Sequence, residues 1–332
     1  MIRLHLSSAD TRRIRFASSP LWEAVTSLRT LTDTSRRWHL HQPWREHVRS
    51  RLGGVDLGLL TALVRPAGYL PDFLVPAPAR RNVAFPTALT GLADVDPVQV
   101  ASELIHLAGH PVAQRGPGRD ARVALLHKLA DDPEAALTGI AQALDAYWQV
   151  AVAPFWVRLH ALLQDDIAYR LEQLADGGVD ALLRSLHPSV RFDDMTLHIE
   201  KYYDGDASAD GRGVLLVPCA FAWPDVMVRT AQPYPVTVSY SPRGVGRLWE
   251  HHPSSRHAAL AEVIGRTRAD LLRLLDLPMA TSQLATQLAL SAPTLNAHLK
   301  ALHAAGIVTA RRDGRFVLYS RAPVADLLLE AE

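Results

Sequence analysis

The sequence predicts an α+β chain: a mainly helical N-terminal domain ending in a small antiparallel sheet, then a C-terminal unit of short helices and a hairpin. Three observations carry this. Apolar residues recur at helical spacing from about Asp96 to Leu107 and from Ala121 to Leu186. After Pro188 the pattern changes to short β-prone runs, Met195 to Tyr203, Gly213 to Val217, Val226 to Thr230 and Val236 to Tyr240, separated by Gly, Pro and Asp. From Thr281 onward, two closely spaced helix-start signals precede a hairpin-turn signal.

Taken in order, residues 57 to 95 hold Pro66, Pro71, Pro76, Pro78 and Pro86 with Tyr69, Leu70, Phe73, Leu74 and Phe85 interspersed, which predicts an ordered arm or loop. Ala141 to Leu174 is the clearest amphipathic stretch, with Pro154 marking a kink or break and Asp176-Gly177-Gly178 a helix stop. The N-terminal domain is thus expected over 1–250, helical to about 187 and β-rich over 190–248. His-His-Pro-Ser-Ser interrupts the pattern between Glu250 and Arg256, and the second domain is expected over 256–332. It opens with a long helix from about Ala259 to Leu275 carrying Leu260, Val263, Ile264, Leu271, Leu272, Leu274 and Leu275. With Val324, Leu327, Leu328 and Leu329 of the tail, this is more apolar surface than a small domain covers. It predicts a homodimer, unless the N-terminal domain buries both stripes.

The C-terminal unit is the most informative. Thr281 or Ser282 can cap a first short helix with an inner stripe of Leu284, Ala285 and Leu288. Ser291 caps the next, with Pro293 in its first turn, where a missing N–H costs little. Leu295, Leu299 and Leu302 face its core, and Gly306 ends it in a left-handed turn. Asp313-Gly314 favours a type I′ hairpin turn, with Arg311, Arg312 and Arg315 around the tip. This order is that of a winged helix-turn-helix, a unit that places one helix in a DNA major groove. The candidate DNA-binding residues are Thr281, Ser282, Gln283, Ser291, Ala292, Pro293, Thr294, Asn296, Ala297, His298, Lys300, Arg311, Arg312 and Arg315. Small residues allow close approach to base edges, Thr294 and Asn296 can hydrogen-bond there, and Lys300 and the arginines suit phosphates.

The stretch from about Arg266 to Ala322 resembles the DNA-binding domain of ArsR-type bacterial transcriptional regulators. The likeness lies in Ser291-x-x-Thr294-Leu295-x-x-His298-Leu299, Leu302-x-x-Ala305-Gly306-Ile307-Val308 and Arg311-Arg312-x-Gly314-Arg315 leading to Leu318-Tyr319. The resemblance implies a homodimer on double-stranded DNA, and a repressor that an effector releases. Asn296 stands where a serine is frequent in the family, so base preference need not follow it. Metal-sensing members carry a Cys-x-Cys pair near the first short helix; Ser282-Gln283-Leu284-Ala285-Thr286-Gln287 has no thiolate, which argues against such a site. The front part resembles an uncharacterised actinobacterial domain that precedes ArsR-like winged helices. That likeness rests on Ser19-Pro20-Leu21-Trp22-Glu23, Pro71-Asp72-Phe73-Leu74, Asp145-Ala146-Tyr147-Trp148 and Leu215-Leu216-Val217-Pro218, and it implies nothing about a ligand.

Composition narrows the function class. The 332 residues are 48% hydrophobic, enough for two cores. Met1 to Ser7 lacks a signal-peptide core and no apolar run is long enough to span a membrane, so a cytoplasmic protein is expected. The single cysteine, Cys219, lies in an apolar run and reads as an inert buried thiol. Net charge is +1, and from Arg256 onward nine Lys and Arg face seven Asp and Glu, so attraction to DNA must come from local placement. Glu103, His106 and His110 share a helical face and could form a metal site, but Gly109 and Pro111 should unwind that end. His39, His41 and His47 read as solvated or structurally hydrogen-bonded. With no phosphate loop, nucleophile elbow or zinc-protease motif, neither catalysis nor a cofactor is expected. Two roles remain for the N-terminal domain: sensing a small-molecule effector, or assembling with a protein partner. Under the first, Tyr147, Trp148, Trp156, Phe221 and Trp223 are candidate pocket walls where the helical body meets the β-rich part; otherwise they are plain core.

Overall fold

The computed structural model describes residues 1–33, 35–232, 234–249, 255–275, 278–288, 290–313 and 316–330. The chain is α+β and divides into two compact units, Met1–Trp156 with Leu163–Val245, and Val157–Leu162 with Gly246–Glu332. The expected junction, from Glu250 to Arg256, falls almost wholly outside the described residues.

The first unit begins β1 (Ile2–His5), α1 (Ser8–Thr11), β2 (Arg15–Phe16) and α2 (Pro20–Thr32). There follow α3 (Gln42–Arg49), α4 (Gly58–Leu63), α5 (Phe85–Thr90), α6 (Pro97–Gly109), α7 (Arg119–Asp131), α8 (Pro133–Ala151) and α9 (Trp156–Arg184). Three of these helices start alike. Ser19, Asp96 and Asp132 each accept a backbone N–H of the first turn, from Trp22, Val98 and Ala135, and each precedes a proline. The side chain satisfies an amide that the helix leaves unpaired, and proline fixes the first helical φ. The proline-rich arm is ordered, as expected, with Phe73, Leu74 and Phe85 buried. Pro154 sits in a single tight turn, Ala153–Phe155, that separates α8 from α9. Gly177-Gly178 interrupts α9 as expected: Gly178 takes φ +68 and ψ −167, a non-helical conformation that glycine adopts freely, and a second helical stretch runs on to Arg184.

The β-rich part comprises β3 (Val190–Asp193), β4 (Thr196–Ile199), β5 (Gly205–Ser208), β6 (Val214–Pro218), β7 (Met227–Arg229) and β8 (Val236–Tyr240). The expected single, mostly antiparallel sheet is corrected to two mixed sheets, β3-β4-β1-β5 and β2-β6-β8-β7. In the first, β1 runs antiparallel to β4 and parallel to β5; in the second, β6 is parallel to both β2 and β8, and only β7 is antiparallel. Parallel pairing supplies the difference: β1 and β2 join β5 and β6 about two hundred residues away, and β6 lies parallel to β8. Alternation then sorts the faces. Ile2, Leu4, Val190, Phe192, Leu197 and Ile199 share one core with Val214, Leu216, Val236, Val238, Tyr240 and Leu182, Leu183 and Leu186 of α9. Just beyond β6, Cys219 meets α2, whose Thr26 Oγ1 lies 3.2 Å from its Sγ.

The second unit contains α10 (Ser255–Ile264), α11 (Arg266–Leu274), β9 (Met279–Ala280), α12 (Thr281–Leu288), α13 (Ala292–Ala304), β10 (Val308–Asp313), β11 (Phe316–Arg321) and α14 (Pro323–Glu330). The long helix expected from Ala259 to Leu275 is two, broken at Gly265, whose φ is +86. That break lets α11 turn Leu271, Leu272 and Leu275 into a core with Leu284, Leu295, Leu299, Leu302 and Val308. Among the described residues no helix is long and apolar enough to cross a membrane.

Candidate functional site

The outer face of α13 is prepared from both ends of the helix. At its start Ser291 Oγ accepts the Thr294 N–H at 3.3 Å and lies 2.8 Å from Thr294 Oγ1. At its end the Gly306 N–H donates to His303 O and the Ile307 N–H to Leu302 O, with Gly306 at φ +68. These two bonds form a Schellman motif, which closes the last turn and sends the chain into β10. Between the ends, Leu295, Leu299 and Leu302 are buried and lock the helix onto the core. Each such leucine stabilises the unit by about 1.5–3 kcal/mol.

What remains outward is the expected set. Ser291, Ala292, Pro293, Thr294, Asn296, Ala297 and Lys300 are exposed, and His298 is half-buried. Ala292, Asn296 and Lys300 follow one another at one-turn spacing, so one polar stripe about 12 Å long runs along the helix, flanked by Pro293 and Ala297. A helix about 10–12 Å across fits a major groove about 12 Å wide. Helix α12 precedes α13 across a tight turn closed by the Leu290 N–H on Ala285 O at 3.0 Å. Thr281 and Gln283 are half-buried and Ser282 exposed. At the start of α12 the Gln283 amide oxygen accepts the Ala280 N–H at 3.3 Å.

The wing adds one element to the expected hairpin. Its sheet has a third strand: β9 pairs with β11 through Met279↔Tyr319 and Ala280↔Leu318, a two-residue element too short to show periodicity. Pairing of β10 with β11 extends to Asp313↔Phe316. Arg311 and Arg312 are exposed near the end of β10 and, as neighbours in a strand, point to opposite faces. Gly314 and Arg315 lie outside the described residues.

The five aromatic candidates of the first unit fall into two groups. Tyr147, Trp148 and Trp156 belong to the helical body: the Tyr147 hydroxyl lies 2.8 Å from Ser27 Oγ, and Trp148 stacks on Phe85 at 4.1 Å and meets Trp156 edge-on. Phe221 and Trp223 follow β6; Phe221 packs 4.5 Å from Trp44 and 4.7 Å from His41, and Trp223 meets His39 edge-on. Tyr147, Trp148 and Phe221 are buried, whereas Trp156 and Trp223 are half-buried. Sequence reasoning gave no role to the group that holds the Phe221 loop. Glu23, fully buried on α2, accepts the N–H of Ala220 at 2.7 Å and of Phe221 at 3.1 Å. Burial pushes its carboxyl up to about 7, against the pull of those amides. His41, read as solvated or structural, is structural: burial holds its imidazole down at about 3. Glu103 is engaged by the Phe73 N–H and by Gln99, and His110 Nδ1 by the Val112 N–H. Among the described residues no group of three or more His, Cys, Asp or Glu could hold a metal ion.

Residues 98–244 match a family of unknown function (DUF5937), and residues 266–311 match a family described as a helix-turn-helix domain. No curated protein and no solved structure matches the chain. The C-terminal unit is a winged helix-turn-helix domain, and DNA binding in transcription regulation is the function to which such a domain points.

Proposed function

We propose that the chain is a transcriptional repressor that binds a near-palindromic operator as a homodimer, α13 entering the major groove, and that residues 1–250 sense a small molecule. The observation that carries the reading is the polar, small-residue stripe Ala292–Asn296–Lys300, held outward by the buried leucines behind it. An apolar stripe there would have suited a protein-docking helix instead. Dimerisation is supported by apolar residues left uncovered on two neighbouring helices: Val263 of α10, 81% exposed, and Val324, Leu327 and Leu328 of α14, with Leu327 67% exposed. Two copies paired there would set half-sites about one helical turn, ~34–36 Å, apart. Sensing is supported by the scale of the first unit beside a small DNA reader, and by its half-buried aromatic residues Trp156 and Trp223. Mapping the protein on its own chromosome, then gel shifts on the enriched sequence, tests the reading. Enrichment of a two-fold symmetric site is expected; absence of any enriched sequence, with a protein partner co-purifying, would replace it by the assembly role.

A further inference from the structure

Strand β7 is an edge strand, yet it carries a buried arginine. Arg229 is 3% exposed, and its Nε and Nη1 have no hydrogen-bond acceptor among the described residues. The nearest carboxylate, Asp72, stands 3.7 Å from Nε, beyond hydrogen-bond range, and the Tyr234 ring lies over the guanidinium at 4.7 Å. A guanidinium keeps its proton under all ordinary conditions, so this is a permanent interior charge with incompletely satisfied donors.

Other polar atoms converge on the same side. Arg229 pairs with Thr237 and Met227 with Ser239, so Arg229, Thr237 and Ser239 share the face of the sheet opposite Val236, Val238 and Tyr240. Helix α2 meets the chain just beyond β6, at Thr26 and Cys219. One turn further along it, Thr30 is fully buried, and its Oγ1, like Ser239 Oγ, has no hydrogen-bond partner among the described residues. The turn Asp72–Leu74 packs against α2 and brings Asp72 to Arg229. Native interiors rarely leave buried polar atoms unsatisfied, and among the described residues Arg229 and Ser239 leave three on this one face.

We infer that the N-terminal unit has an internal site for a small monocarboxylate, with Arg229 as its counter-charge and Thr30 and Ser239 as its hydroxyl partners. Asp72 supplies an ion pair to the guanidinium at 3.7 Å from Nε, but among the described residues neither Nε nor Nη1 has a hydrogen-bond acceptor, which a carboxylate would provide. A phosphate dianion would stand beside Asp72, with Glu103 close enough to act on Asp72 electrostatically, and like charge disfavours it. Burial lifts the Asp72 carboxyl to about 6, against the pull of the Arg229 charge and with a smaller push from Glu103, so it can take up a proton and then donate to the second ligand oxygen. The inference rests on the sensing reading only for its consequence at DNA.

The test uses the full chain, with calorimetric titration and thermal melting in acetate, butyrate, benzoate, succinate, phosphate and chloride at equal ionic strength. At least one monocarboxylate should bind saturably, one per chain, and raise the melting temperature, whereas phosphate and chloride should not. Thr30→Val and Ser239→Ala, which preserve shape, should each weaken it about three- to tenfold, and Arg229→Lys more. No saturable carboxylate binding, tighter binding of phosphate, or indifference to both hydroxyl variants overturns the site. Operator affinity separates the two readings. Carboxylate binding that leaves DNA affinity unchanged supports the site and overturns sensing through it; a response to cell extract without carboxylate binding overturns the site alone.

Discussion

Replacing Glu23 by glutamine isolates one buried charge. The carboxyl is raised from 4.5 to about 7, so its contribution to stability is present in full below pH 4.5 and is lost as pH rises through 7. A span from 4.5 to 7, at about 1.4 kcal/mol per unit, corresponds to about 3 kcal/mol. His41 runs the other way: depressed from 6.5 to about 3, it contributes in full above 6.5 and less as pH falls toward 3. In the wild type the two slopes oppose one another between pH 4.5 and 6.5. Glu23→Gln imitates the protonated acid and removes only the first slope, so the difference between variant and wild type cancels His41 and every other group. That difference should favour the variant increasingly from pH 4.5 and reach about 3 kcal/mol by pH 7.5. Urea unfolding of the full chain across this range, followed by the fluorescence of Trp22, Trp44 and Trp148, measures it. Parallel pH profiles for the two proteins would refute the assignment of a buried, ionisable Glu23.

Within the second unit, Leu299→Ala should destabilise by about 2–5 kcal/mol in thermal or chemical melts, because the side chain is fully buried behind α13. Ser291→Ala should cost about 1 kcal/mol through the lost bond to the Thr294 N–H, seen as a lower unfolding midpoint. Leu327→Lys should shift light scattering from dimer to monomer without unfolding the chain, because the residue is 67% exposed in the single chain; a dimer that survives it would move the interface elsewhere.

Local chemistry made the winged helix readable. Ser291 and Pro293, the leucine spacing, and Gly306 followed by Ile307 are signals confined to a few residues, and each has its counterpart in a cap, a buried face or a Schellman bond. The sheets were less legible, because parallel pairing across nearly two hundred residues leaves no local mark. Even so, the alternation Ile2-Arg3-Leu4-His5-Leu6 is a strand signal, and Ile2, Leu4 and Leu6 are the residues buried. Gly265 inside an apolar stretch, where a positive φ splits α10 from α11, was the overlooked mark of a break. The polar interior could not be anticipated. Glu23, Thr26, Ser27 and Thr30 lie on a helix whose buried surface extends almost all round, so their polarity reads locally as a solvent face. Of the aromatic candidates, periodicity found residues that are buried, but it could not separate a wall from packing.

The central claim is that α13 reads bases while cationic residues hold the backbone. Fluorescence anisotropy on the mapped operator and on a scrambled duplex, with wild type, Asn296→Ala and Lys300→Ala at several salt concentrations, tests it most directly. Asn296→Ala should cost about 1–3 kcal/mol on the operator and little on scrambled DNA, while Lys300→Ala should weaken both alike and lower the salt slope by about one. Equal losses on the two duplexes for Asn296→Ala would contradict base reading by this helix.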